Sequence, residues 1–146
     1  MSFQFSLAAV LRYRESLEQR EYFALEKLQQ EIVRADVRIR EVAENCSTAT
    51  QDRAAKLALG VRAAEVKFAY EYLRALQQQD EALRALLQEL KMKWRLQLEC
   101  YQLARRNREA LAKLREKQLE AHNREHAKRE QAVIDDVFLS RRRRGN

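Results

Sequence analysis

The residues that come nearest to catalytic chemistry are His122-Asn123-Arg124-Glu125-His126. They spell H-x-x-E-H, the zinc-ligand order of inverted zincins. On a helix the two imidazoles fall one turn apart on one face, as that chemistry requires. A catalytic zinc also needs a third protein ligand and a cleft that excludes water. This motif lies in a helical stretch crowded with charge, so it reads as a solvated face carrying two histidines. Cys46 and Cys100 are the only thiols. Two cysteines so far apart form neither a metal nor a disulfide framework. In a chain folded back on itself, Cys46 is expected to face the region near residue 64, with Cys100 ~54 Å further along the helix. That distance forbids a disulfide. We expect no catalytic site, no metal, no cofactor and no small-molecule substrate.

Two other groups suggest binding. Arg141-Arg142-Arg143-Arg144 could meet an acidic protein surface, nucleic acid or anionic lipid, or could simply be a solvated tail. The run itself contains no aromatic residue for base stacking and no recognisable DNA-reading motif. Phe68 and Tyr72 lie four residues apart and so share a helix face. They are either an exposed patch for a partner or edge packing beside a helix seam.

The elements that must carry these groups are helices. The chain of 146 residues contains no proline and only Gly60 and Gly145 as glycines, so little interrupts helix. Charged residues make up 35% and aromatics 8%, too few bulky side chains for a compact core but enough for a two-helix seam. Leu25, Leu28, Ile32, Ala35, Ile39, Val42, Cys46 and Ala49 alternate steps of three and four, the spacing of a coiled-coil stripe. Continued backwards, the register meets Glu21, Glu18 and Arg14 before Leu11. Leu17 and Ala24 lie one position off it, which predicts a local shift of the seam. A second stripe runs through Leu73, Leu76, Asp80, Leu83, Leu87, Leu90, Trp94, Gln97, Tyr101 and Ala104, interrupted by Asp80 and Gln97. Beyond Ala104 it thins to Leu111, Leu114 and Leu119, before Val133, Ile134, Val137 and Phe138.

Asn45 to Asp52 is rich in Ser, Thr, Asn and Asp, which compete for backbone hydrogen bonds and favour caps. We therefore place a reversal within about residues 47–62. The expected fold class is all-α: one long antiparallel two-helix coiled-coil hairpin over 1–146, with the second helix longer and overhanging. Helix 1 spans about 5–50, helix 2 about 62–139, and 140–146 form a basic tail. With this reversal Leu11 sits near Tyr101, and the rest of helix 2 projects alone for ~50 Å at ~1.5 Å per residue.

The formal charge of +7 is unevenly spread. Residues 1–103 hold 16 basic and 15 acidic side chains, and residues 104–146 hold 13 and 7. The C-terminal third is the part expected to meet an acidic surface. No stretch approaches the ~20 apolar residues of a membrane span. The apolar start, Phe3 to Leu11, has no basic region before it and does not look like a secretory signal. A reducing cytoplasm is the simplest home.

Three groups of residues together resemble the flagellar export protein FliJ family and the related injectisome stalk proteins. They are the opening Phe3-Gln-Phe5-Ser-Leu7-x-x-Val10-Leu11-x-x-Arg14, then Tyr70-x-Tyr72-Leu73-x-x-Leu76, and the later Leu111-x-x-Leu114-x-Glu116-Lys with Glu130-Gln-x-x-Ile134-Asp135-Asp136. Asp136, where the family more often has glutamate, and the four arginines after it depart from that pattern. The resemblance implies a two-helix stalk similar to the γ subunit of rotary ATPases, standing in the pore of the hexameric flagellar export ATPase. It implies a contact with the cytoplasmic domain of the export gate, a membrane protein, which by position falls on Tyr72 and Leu76. Phe68 joins them by sharing the Tyr72 face. It also implies an escort role for export chaperones, and a cytoplasmic location peripherally associated with the inner membrane at the flagellar base. Arg141, Arg142, Arg143 and Arg144 are the residues expected to meet the ATPase ring or another acidic surface. The rival reading is a generic basic coiled-coil scaffold or nucleic-acid-associated protein, with nucleic acid the less expected partner.

Overall fold

With no proline and no interior glycine between Ala8 and Leu59 or between Ala63 and Arg144, each patterned segment forms one unbroken helix. A computed structural model describes residues 2–60 and 62–145. Met1, Val61 and Asn146, which the expected boundaries include, lie outside the described residues. The fold is an all-α antiparallel hairpin of α1 (Ala8–Leu59) and α2 (Ala63–Arg144), with no strand among the described residues. Contacts divide it into two compact units, Met1–Arg20 with Gln102–Asn146 and Glu21–Tyr101.

The reversal falls at the far end of the expected region. Gly60 has φ +75, the left-handed conformation that ends helices and that a side chain resists. No atom lies within 4 Å of where a Cβ would stand, so the backbone angle, not crowding, selects glycine here. The carbonyl of Arg62 then accepts the first α2 hydrogen bonds, from the amides of Glu65 at 3.0 Å and Val66 at 3.2 Å. Lys56 in the last turn of α1 and Glu65 in the first of α2 complement the helix dipoles. The polar run Asn45 to Asp52 remains helical. Within it Thr50 Oγ1 donates to the Cys46 carbonyl one turn back, at 2.8 Å, so this hydroxyl finds its partner without breaking the helix.

In the unit Glu21–Tyr101 the expected stripes are the ones turned inward. Ile32, Ala35, Val42, Leu76 and Leu90 are buried, and Leu28, Leu87 and Trp94 pack on the Ile32–Ala35–Leu90 cluster. Ile39, Leu83 and Leu87 are half-buried, since one facing helix covers only part of a seam side chain. Of the two residues off the register Leu17 is half-buried, so the expected seam shift is present there and does not extend to Ala24. Glu21 stays in register half-buried, Ala24 is exposed, and the amide of Gln97 donates to the Glu21 carbonyl at 3.1 Å and to its carboxylate. At the other interruption Asp80 Oδ2 accepts from Arg84 Nε at 2.9 Å, while Asp80 Oδ1 is buried without a hydrogen-bond partner among the described residues. Cys46 lines a groove with Gln77 and Asp80, about a dozen residues beyond the neighbour expected for it.

The same displacement appears in the other unit. Phe5 and Leu11 are buried, and the Phe3 ring lies 5.6 Å from that of His122. The register again passes through polar residues: across the helices Arg108 donates from Nε to Glu18 Oε2 and from Nη2 to Glu18 Oε1, the second contact at 3.3 Å. The Glu18 hydrogen bond holds the Arg108 guanidinium above its ordinary value, against partial desolvation. A raised guanidinium contributes stability below its unfolded value that is lost only in strong alkali, so it gives no pH dependence near neutrality. Residues of α2 are covered in part as far as His122, and every one from 123 to 145 is exposed. The uncovered helix therefore begins at 123, not after Ala104, leaving ~33 Å to Arg144 at ~1.5 Å per residue.

Leu90→Asp places a charge in the Ile32–Ala35 contact and is expected to destabilise by about 3–5 kcal/mol, against about 0.5 kcal/mol or less for exposed Leu103→Asp, both read from urea melts. A double-mutant cycle on Glu18 and Arg108 is expected to give a coupling of about 1 kcal/mol that shrinks in high salt, as suits a partly exposed pair.

Candidate partner-binding surfaces

Helical geometry separates Phe68 and Tyr72 from Leu76. The seam passes through Ala69, Leu73 and Leu76, so residues 68 and 72 point beside it. Phe68 is 72% exposed and Tyr72 48%, whereas Leu76 is 7% exposed and belongs to the core. The three expected contact residues thus form an open aromatic pair and a supporting leucine in the seam. α1 completes the surface. Ala49, Asp52, Arg53 and Lys56 line a groove with Phe68, Ala69 and Tyr72, and the Arg53 guanidinium lies 5.9 Å from the Tyr70 ring centre. Leu57 and Leu59 are also exposed beside the turn. Sequence reasoning missed these α1 residues because facing partners could be assigned only once the turn was placed at Gly60.

The basic end is helical, not a tail. Arg141 to Arg144 form the last turn of α2, where four positive charges oppose the negative helix end, and the Gly145 amide donates to the Arg141 carbonyl at 3.0 Å. Successive side chains 100° apart direct the four guanidinium groups around the whole helix. One to two turns earlier, Val133, Ile134, Val137 and Phe138 are exposed, and a groove runs between His126, Arg129, Glu130, Val133 and Ile134. These apolar residues were visible in the sequence but assigned to no site.

His122 and His126 stack with ring centres 6.5 Å apart. His122 turns toward Phe3, and His126 Nδ1 lies 3.5 Å from Glu130 Oε1. Among the described residues no group of three or more His, Cys, Asp and Glu could hold a metal ion. Cys46 is half-buried and Cys100 exposed, both unpaired thiols. No described helix is long and apolar enough to cross a membrane.

The different burial of the three tip residues makes a direct test. Phe68→Ala and Tyr72→Ala are expected to change stability by about 0.5–1 kcal/mol or less, and Leu76→Ala to cost about 2–4 kcal/mol, measured by thermal and urea unfolding.

Comparison with known families places the whole hairpin. No curated protein and no solved structure matches the chain. The family model described as "Flagellar FliJ protein" matches residues 3–146, from the N-terminal segment that carries Phe3 and Phe5 through both helices to the arginine turn. The chain is therefore a member of the flagellar FliJ family.

Proposed function

We propose that this chain is a non-enzymatic stalk of the flagellar protein-export apparatus, joining the export ATPase ring to the export gate. The observation that carries this reading is the family match across residues 3–146 on a two-helix hairpin, the shape a stalk requires. The gate contact is assigned to the groove beside the turn. Phe68 and Tyr72 are its aromatic anchors, and Leu76 supports them from the seam and meets the partner only at its rim. Aromatic anchors in such patches commonly account for ~2 kcal/mol or more of binding each. Docking to the ATPase ring is assigned to the other unit, through Arg141 to Arg144 and the N-terminal residues. The four guanidinium groups, directed around the helix, suit an acidic socket that surrounds it. Escort of export chaperones and a peripheral position at the inner membrane of the flagellar base complete the proposal.

Affinity measurements with purified export ATPase and the cytoplasmic domain of the gate protein test it. Tyr72→Ala is expected to weaken gate binding at least tenfold with helicity and ATPase binding unchanged. Leu76→Ala is expected to lose gate binding together with stability. Deleting Arg141 to Arg144 is expected to weaken ATPase binding more at low salt than at high salt, because screening removes exposed-charge attraction. Failure of the parent chain to bind either protein would sink the stalk reading, whereas full gate binding by Tyr72→Ala would remove only the assigned contact.

A further inference from the structure

The two units of the hairpin are held together by different chemistry. The unit Glu21–Tyr101 contains the Ile32–Ala35–Leu90 cluster and the buried Val42 and Leu76. In the other unit the buried apolar residues of α1 and the segment before it are Phe5 and Leu11. Between Leu11 and Arg20 the seam positions are Arg14 and Glu18, of which Glu18 pairs with Arg108, and Leu17 at their side is half-buried. The segment before α1 is not helical from Ser2 to Phe5. It turns at Ser6 and Leu7, where the Ala8 amide donates to the Phe5 carbonyl at 3.1 Å. This turn directs Phe3 to His122 and buries Phe5. His122 is the last residue of α2 to be covered.

We propose that Ser2–Arg20 is a releasable arm, clasped at its free end by Phe3 and Phe5, at its midpoint by Leu11 and at its base by the Glu18–Arg108 pair. It opens from α2 without melting the unit Glu21–Tyr101. Three features lead to this. The arm has two buried apolar anchors, Phe5 near its free end and Leu11 at its midpoint, so losing one removes a large part of what holds it. Its base is an ion pair with both side chains partly open to solvent, which salt weakens and beside which half-buried Leu17 adds only a partial apolar contact. The neighbouring unit has its own apolar cluster, so its stability does not depend on the arm. Opening uncovers Leu111, Ala112 and Leu119 on α2, which are half-buried beneath the arm. They then add to the exposed Leu114 and to the strip Val133–Phe138 further along the same helix.

Hydrogen exchange on the full chain tests the proposal, with Trp94, the single tryptophan, reporting the state of the other unit by its emission. Phe5→Ala is expected to speed exchange at least tenfold in residues 8–20 and 104–119. Residues 28–42 and 83–94 are expected to stay within about twofold of the parent, with Trp94 emission unchanged. Should Phe5→Ala be too disruptive to purify, Phe5→Leu is expected to give the same pattern at smaller size. In the parent chain, raising salt is expected to speed exchange in the arm selectively. Acceleration spread equally over both units, a shift of Trp94 emission, or an arm whose exchange ignores both the substitution and salt would overturn the proposal.

Discussion

Two helices joined by one short turn have a single degree of freedom that matters, the position of the turn. Once Gly60 takes its left-handed angle, every cross-helix pairing follows, because each step away from the turn on α1 is matched by one on α2. Tyr22 meets Tyr101, Gln97 meets Glu21, and Arg53 lies over Tyr70. In the other unit Glu18 meets Arg108 and Phe3 meets His122. A turn moved by a few residues would replace each of these pairs with a mismatch, and the polar ones would be the most costly. The glycine is thus the smallest feature on which the largest number of contacts depends.

The polar residues inside the seam follow from this constraint. A strictly apolar stripe on both helices would bury more surface, yet it would tolerate slippage by a whole heptad. Glu21 with Gln97 and Glu18 with Arg108 accept only one alignment, because a slipped register leaves a partly buried charge or amide without its partner. These layers exchange some apolar stability for a unique pairing, and they make the end of the hairpin that carries Phe3 chemically different from the end that carries Gly60. Asp80, with one carboxylate oxygen held by Arg84 and the other buried without a partner, is the seam position that stability alone does not explain.

Function in a fold of this kind must lie on side faces and ends, since the seam is consumed in holding the helices together. Phe68 and Tyr72 illustrate the division. They stand one position from the seam residues Ala69 and Leu73, and that single step leaves the aromatic pair exposed while the seam itself runs on to buried Leu76. The arginine turn illustrates it differently: α2 continues past its partner, so its last residues face solvent on all sides and charge can be concentrated there without desolvation. Membership of the FliJ family gives both features a common setting.

The sequence by itself determined the helices, the two stripes and the imbalance of charge, because these rest on local periodicity and composition. Leu25 to Ala49 and Leu73 to Ala104 face inward as their spacing required. The aromatic pair at 68 and 72 was legible for the same reason. Only the tertiary structure decided the alignment of one stripe with the other. Seam periodicity repeats every seven residues and cannot distinguish one heptad offset from the next, and the serines and threonines of 47–50 drew the centre of the expected region several residues ahead of Gly60, which lies at its far end. From that one displacement came the misplaced neighbours of Cys46 and Leu11 and the overlong projection of α2. The Ala49–Lys56 side of the groove was hidden for the same reason. The polar layers were hidden for another: a charged residue in a stripe looks like a break until the partner that satisfies it, some 76 or 90 residues away, is brought opposite.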